Sequence, residues 1–436
     1  MIRKRIAVFA LMIMFLTFLV ISILIEVSAQ QEMEPEWIYE DESWFTGVAV
    51  SADGNYIGAG TNNTNKFYLF RDGVLLWNYS VGSVHSISMS SDGKYIAVGA
   101  GNDFYLFESD DSSSPLLEYP VDYESSIVTL SSEGKYVMVG TMPNVSQQNA
   151  SSRLYVFERG QSQPSWTRTL PGVLESLSLS SNGDYLVAST SLPGVLYLFS
   201  REQEAPLWSY FFGERSGGVK ISSDGETVVA TGGNQSDEYG LRIFLFSQQH
   251  STPRYMKVIP ELPSSRSVSV SSNGSVFAIN THGFGIGWPG GNRLVLFDWN
   301  VRPYGPRSIR DASLPASGVS MSMSSDGKYV FVGTLNGIFV YEYLNNELKL
   351  KNQYTTNSSI IFDVACSSDG EYVVALGKSS LSGDERYQIY FFVMGNVVNP
   401  WAWSDLVVVG VIVVVIIGAV GFIFYRSSRR VDVRAF

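Results

Sequence analysis

Cysteine and histidine are scarce in this chain of 436 residues: there is one cysteine, Cys366, and there are three histidines, His85, His250 and His282. A lone cysteine excludes an intramolecular disulfide, so an exported domain built from this chain must rest on its apolar core. Cys366 ends the run Asp363-Val364-Ala365-Cys366 and reads as a small buried strand residue, with no histidine near it in sequence to activate the thiol. The histidines are scattered and no CxxC occurs, which leaves no metal-ligand spacing. A nucleophile elbow, a phosphate-binding loop and a calcium loop of the usual spacing are absent as well. The sequence therefore assigns no catalytic, metal or cofactor residue, and the chain is expected not to be an enzyme.

Charge is also sparse. Charged residues make up 16% of the chain, against about 25% in soluble domains. The net charge is −11; residues 1–29 carry +2 and residues 406–436 carry +3, so the segment between them carries −16. Such a surface repels nucleic acid. What is abundant is apolar and turn-forming: 45% hydrophobic residues, 13% aromatics and 40 glycines. Aromatic and β-branched residues with many glycines suit an all-β fold with tight turns.

Both ends carry membrane addresses. Arg3-Lys4-Arg5, the apolar run Ile6–Ile25 and the small residues Val27 and Ala29 predict a secretory signal over 1–29, cut before Gln30. The run is also long enough to span a bilayer, so an uncleaved signal anchor is the alternative. Leu406–Phe424 is uncharged and apolar, bracketed by Trp401, Trp403 and Tyr425 and followed by Arg426, Arg429, Arg430 and Arg434. This pattern predicts one transmembrane helix over 406–425, joined by a linker (394–405) and followed by a cytoplasmic tail (426–436). The expected location is the cell membrane, single-pass, with residues 30 onward outside. Seven glycosylation sequons suit that exposure: Asn62, Asn78, Asn144, Asn149, Asn234, Asn273 and Asn357.

Between the ends one phrase recurs eight times: an alternating strand, a Ser-rich turn and a more uniformly apolar strand. The turn pairs are Asp53-Gly54, Asp92-Gly93, Glu133-Gly134, Asn182-Gly183, Asp224-Gly225, Asn273-Gly274, Asp326-Gly327 and Asp369-Gly370. Their glycines are 39 to 53 residues apart, about 45 on average, the period of a propeller blade. The Asp or Asn side chain has a turn role, and Glu133 with two Asn breaks any reading as a carboxylate ring. Upstream strands such as Ser86-Ile87-Ser88-Met89 place small serines on one face, as tight packing near an axis demands. A third aromatic strand follows in each unit, for example Phe67-Tyr68-Leu69-Phe70 and Leu196-Tyr197-Leu198-Phe199, and then a fourth, clearest at Leu76-Trp77-Asn78-Tyr79. The eighth unit lacks its fourth strand, and Glu36-Trp37-Ile38-Tyr39 before the first unit has that character. The expectation is an eight-bladed β-propeller over 36–393 whose N-terminal strand closes the last blade.

The phrases Ser90-Ser91-Asp92-Gly93-Lys94-Tyr95 and Ser324-Ser325-Asp326-Gly327-Lys328-Tyr329 resemble the WD-repeat-like propellers of prokaryotic, in particular archaeal, membrane-anchored surface proteins. The Tyr-Leu-Phe strands and Leu207-Trp208-Ser209-Tyr210 also resemble quinoprotein-like propellers. The resemblance spans 36–393 and implies the fold. Its quinoprotein side raises a cofactor for which no ligand residues can be named.

Strand order orients the ring. Strand three ends on the Asp-Gly face and the chain leaves there for a short linker, so that face is expected to look toward the membrane. The opposite face holds the second-to-third-strand loops, including the Gly-rich stretch 283–291 with Phe284 and Trp288 as a possible partner contact. The expected function is a non-catalytic binding or scaffold module for a protein or glycan partner. The alternatives are an exported propeller enzyme with its site in the central channel, marked by titratable groups of shifted pKa, and a structural component of the cell envelope.

Overall fold

The computed structural model describes residues 31–395 apart from 112–113, 144–149, 234–240, 260–266, 281–291, 300–307, 356–358 and 380–385. The expected signal, membrane segment and tail lie outside the described residues, as do Asn144, Asn149, Asn234, Asn357, Phe284 and Trp288. Among the described residues there is no helix long and apolar enough to cross a membrane.

Eight sheets follow one another along the chain. Blade one shows the plan: Phe45–Val50 is innermost, then Tyr56–Thr61, Lys66–Arg71 and the outermost Val74–Ser80, each antiparallel to the next. Blades two to seven occupy 84–120, 124–171, 173–213, 215–259, 268–313 and 318–355. Blade eight takes three strands from 359–393, and Trp37–Asp41 supplies the fourth, Trp37 opposite Phe391 and Asp41 opposite Tyr387. The ring thus closes with the N-terminal strand, as the sequence predicts. One further element was not foreseen. Gln31–Glu32 runs parallel to Glu347–Thr355 as a fifth strand on blade seven, and Met33 beside it is buried in the blade seven–eight core.

Why the chain forms a ring is visible in the cores. Eight hydrophobic clusters occur, and each draws its side chains from two neighbouring blades. A blade is apolar on both faces, so it is stable only when flanked on both sides. The aromatic third strands carry much of this: Phe67, Phe104, Phe157, Phe199 and Phe246 are almost fully buried.

The Asp-Gly turns lock consecutive blades. In all eight, the glycine has φ between 66° and 79°, and its N–H donates to the carbonyl of the serine three residues earlier at 2.8–3.1 Å. That serine's Oγ accepts the N–H of the second residue after the glycine, and in seven turns it donates to Oδ1 of the turn Asp or Asn. Glu133, one methylene longer, does not take this role, and Ser131 Oγ accepts Lys135 N instead. Each turn glycine also lies on the side chain of the preceding blade. A Cβ at Gly93 would sit 2.3 Å from the Tyr56 ring, and one at Gly183 would sit 2.6 Å from the Tyr136 ring. Glycine is required there twice, by dihedral and by contact.

On the rim, Trp77, Trp166 and Trp208 each donate Nε1–H to a carbonyl of the next blade, at Ser109, Arg201 and Gln248. Trp37 holds the same position at the closing seam, but its ring lies against Gly73 of blade one and its buried Nε1 has no partner.

Gly160 also has positive φ, 90°, but nothing lies near its virtual Cβ. Alanine there should cost about 1–2 kcal/mol for the left-handed backbone alone. Gly93→Ala should cost about 1–3 kcal/mol more from overpacking against Tyr56. Denaturant unfolding of the two variants checks this, and equal losses would mean that the tyrosine contact carries no energy.

Candidate functional site: the central channel and the loop face

The innermost strands of a propeller have one edge unpaired, facing the axis. Seven of the eight carry a β-bulge near the end opposite the Asp-Gly turns. The extra residue is Thr46, His85, Ser126, Glu175, Val319 or Phe362, and in blade five Gly217 and Gly218 stand together opposite Thr231, again one residue more than the partner strand. Bulges re-aim side chains, here at the level of the channel mouth.

Beyond the bulge, serine hydroxyls of one blade reach the free N–H groups of the next blade's innermost strand. Ser86 and Ser88 accept Val128 N and Leu130 N at 3.1 and 3.0 Å. Ser176 and Ser178 accept Val219 N and Ile221 N, and Ser320 and Ser322 accept Val364 N and Cys366 N. The alternating serines are thus more than small residues for a crowded axis. They satisfy backbone donors that no strand can reach.

Two residues break this pattern. Seven positions before the turn glycine stand Gly47, Ser86, Ile127, Ser176, Gly218, Ser267, Ser320 and then Asp363. Asp363 Oδ2 accepts Val48 N of blade one at 3.2 Å, while Oδ1 accepts Ser320 Oγ of blade seven and its neighbour Val364 N, both at 2.9 Å. One carboxylate therefore joins blades seven, eight and one. Burial pushes its pKa up to about 6 from 3.8, against the opposing pull of these donors and of Lys220. Five positions before the glycine stand Ala49, Ser88, Thr129, Ser178, Lys220, Ser269, Ser322 and Ala365. Lys220 is the one charge in that series. Its side chain is open to the lumen yet enclosed by the ring, and this enclosure lowers its pKa while the field of Asp363 opposes the shift.

Near this level Cys366 Sγ lies 3.2 Å from Ser322 Oγ, and burial pushes the thiol up to about 12. His85 Nε2 is buried without a hydrogen-bond partner. Among the described residues no three His, Cys, Asp or Glu side chains are grouped to hold a metal ion.

Of the described sequons, Asn62 is exposed on the second-to-third-strand loop of blade one and accepts Ser83 Oγ at 2.6 Å. Asn78 is exposed on the outermost strand of blade one. Asn273 lies in an Asp-Gly-type turn, exposed, with Oδ1 accepting Ser271 Oγ and Ser275 N.

Exposed large apolar residues favour the face opposite the Asp-Gly turns. Among the described residues, eight of the fifteen lie at that end of their blades: Trp44, Tyr123, Met142, Leu192, Phe211, Val319, Leu335 and Ile360. Leu192 and Phe211 are 66% and 65% exposed on the same blade, and Trp44 stacks on Tyr387 at 6.1 Å. The last described strand ends on the other face, where Met394 N donates to Glu371 O beside the Gly370 turn.

No family model matches the chain, and no curated protein is similar to it in sequence. Solved structures are similar in fold. Chaetomium thermophilum Sqt1, solved bound to the N-terminus of the ribosomal protein L10, has a TM-score of 0.63 at 11% identity, covering 83% of this chain and 100% of that one. The β-propeller domain of Myceliophteria thermophila Cps50 (Swd1) has a TM-score of 0.51 at 9% identity, covering 83% and 99%. Kuenenia stuttgartiensis hydrazine synthase has a TM-score of 0.50 at 13% identity, covering 76% and 92%. The eight blades are read from the sheets themselves, and these likenesses speak to the β-propeller fold alone.

Asp363 holds its proton more tightly folded than unfolded. Its contribution to stability is therefore complete below about pH 4 and is lost as pH rises through about 6. Between pH 4 and 6 the native chain should lose stability that an Asp363→Asn variant does not lose; matching slopes in paired unfolding curves would refute the shift. The Cys366 thiol should resist maleimide at pH 7.5 in the folded chain and react promptly in denaturant, read by mass spectrometry.

Proposed function

We propose that this chain is a membrane-anchored extracellular propeller that binds a protein partner, without catalysis, through the face opposite the Asp-Gly turns. The observation that carries the reading is the gathering of exposed Trp44, Leu192, Phe211, Leu335 and Ile360 at that face. Isolated apolar residues are ordinary on any surface, but a concentration of them at one end of a ring supports an interface there. The exit of the chain beside Gly370, a short way before the apolar stretch 406–425, supports turning the Asp-Gly face to the membrane and the loop face outward. A charge of −16 over residues 30–405 favours a basic partner. The propeller of Sqt1, solved with the N-terminus of another protein, is an example of the fold in such a role.

A second reading, an exported enzyme, has one observation in its favour: opposed pKa shifts at Lys220 and Asp363 inside the channel, the kind of perturbation that acid–base centres use.

Leu192→Asp and Phe211→Asp together should weaken capture of a surface partner by the full chain about tenfold or more, as loss of an interface anchor does. Leu344→Asp, on the Asp-Gly side, should leave capture unchanged. Equal effects from both faces, or none from either, would reject the loop face as the interface.

A further inference from the structure

Lys220 is a cation on the axis of a markedly acidic protein, at a place where every other blade carries Ala, Ser or Thr. We propose that the central channel binds an anionic oxygen group, the carboxylate or phosphate of a small ligand, on the Lys220 ammonium.

Three observations lead there. First, no hydrogen bond or ion pair reaches the Lys220 ammonium among the described residues, although its side chain is open to the lumen. The carboxylate that acts on it, Asp363, lies three blades further round the ring. Its oxygens are already held by Val48 N, Ser320 Oγ and Val364 N. Lys220 is thus attracted across the channel but not matched by contact.

Second, the two residues that precede Val219 and Lys220 carry no side chains. Where other bulges set a side chain at the mouth, such as Glu175 in blade four and Phe362 in blade eight, blade five sets Gly217 and Gly218. Their carbonyls are tied outward, Gly217 O accepting Ser189 Oγ at 3.2 Å and Gly218 O accepting Thr231 Oγ1 at 3.4 Å. The blade-five bulge therefore leaves two residues without side chains directly before Val219 and Lys220 in the innermost strand.

Third, the low-dielectric walls of a narrow lumen concentrate the field of the charges they enclose. An ammonium with three free donors in such a place suits a carboxylate or phosphate oxygen. Asp363 is then an internal competitor: its charge weakens the hold on an incoming anion, and its removal strengthens it.

The inference is independent of partner binding on the loop face. Its test uses the full chain in nanodiscs with acetate and inorganic phosphate as probes, followed by calorimetry and by the 15N signal of the Lys220 side chain. Saturable binding of one probe that moves the Lys220 signal is expected, and the probe that binds identifies the anion as carboxylate or phosphate. Lys220→Met should lose that binding at least tenfold, Lys220→Arg should keep it, and Asp363→Asn should tighten it severalfold. Absence of saturable binding of either probe, undiminished binding in folded Lys220→Met, or weaker binding in folded Asp363→Asn would each overturn the proposal.

Discussion

The architecture depends on how the innermost strands satisfy their free edges. A strand on the axis of a ring has backbone N–H groups that no further strand can reach, and leaving them bare in a crowded interior costs about 1–3 kcal/mol each. Here the neighbouring blade supplies hydroxyl oxygens instead, from Ser86, Ser88, Ser176, Ser178, Ser320 and Ser322. The same bonds that satisfy an edge also set the distance and rotation between blades. Satisfaction and assembly are one event, which adds to the hold of the shared apolar cores.

Around that axis the Asp-Gly turns and rim tryptophans act at two further radii. Backbone bonds pass from turn to turn, Ala52 to Ser91, Ser91 to Ser132 and Ser132 to Ser181, while indole donors reach the next blade at the perimeter. The seam between blades four and five is thus held at axis, face and rim, and the other seams use some of these devices. The closing seam uses substitutes at two of these places: a carboxylate, Asp363, where others have a hydroxyl, and a buried indole against Gly73 where others have a hydrogen bond.

Much of this was legible in the sequence because propeller physics is periodic. Eight Asp-Gly equivalents at about 45 residues, the aromatic third strands and the detached Trp37 strand together required a closed ring. What escaped was whatever departs from the period. Gln31–Glu32 adds to blade seven by parallel backbone pairing, and two polar residues leave no pattern to read. Asp363 stands at the edge of an apolar run, and nothing along its own strand sets Lys220 apart. Both become visible only when the innermost strands are aligned on their turn glycines and read column by column. The serines were read for their size, since hydroxyl contacts between blades have no signature along a single strand.

The closure also has a temporal side. Trp37–Asp41 is among the first parts of the ring to be made, and its partner Arg386–Val393 is the last; the contact of Arg386 with Glu40 spans 346 positions. Pairings so distant are slow to form. Through nearly the whole of translation the early strand has no mate, and the edges at both growing ends of the stack stay bare. Gln31–Met33 docks on blade seven, which precedes blade eight along the chain, so the leading segment can be moored before the final blade arrives. A nascent chain halted before blade eight would already hold its own closing strand in waiting.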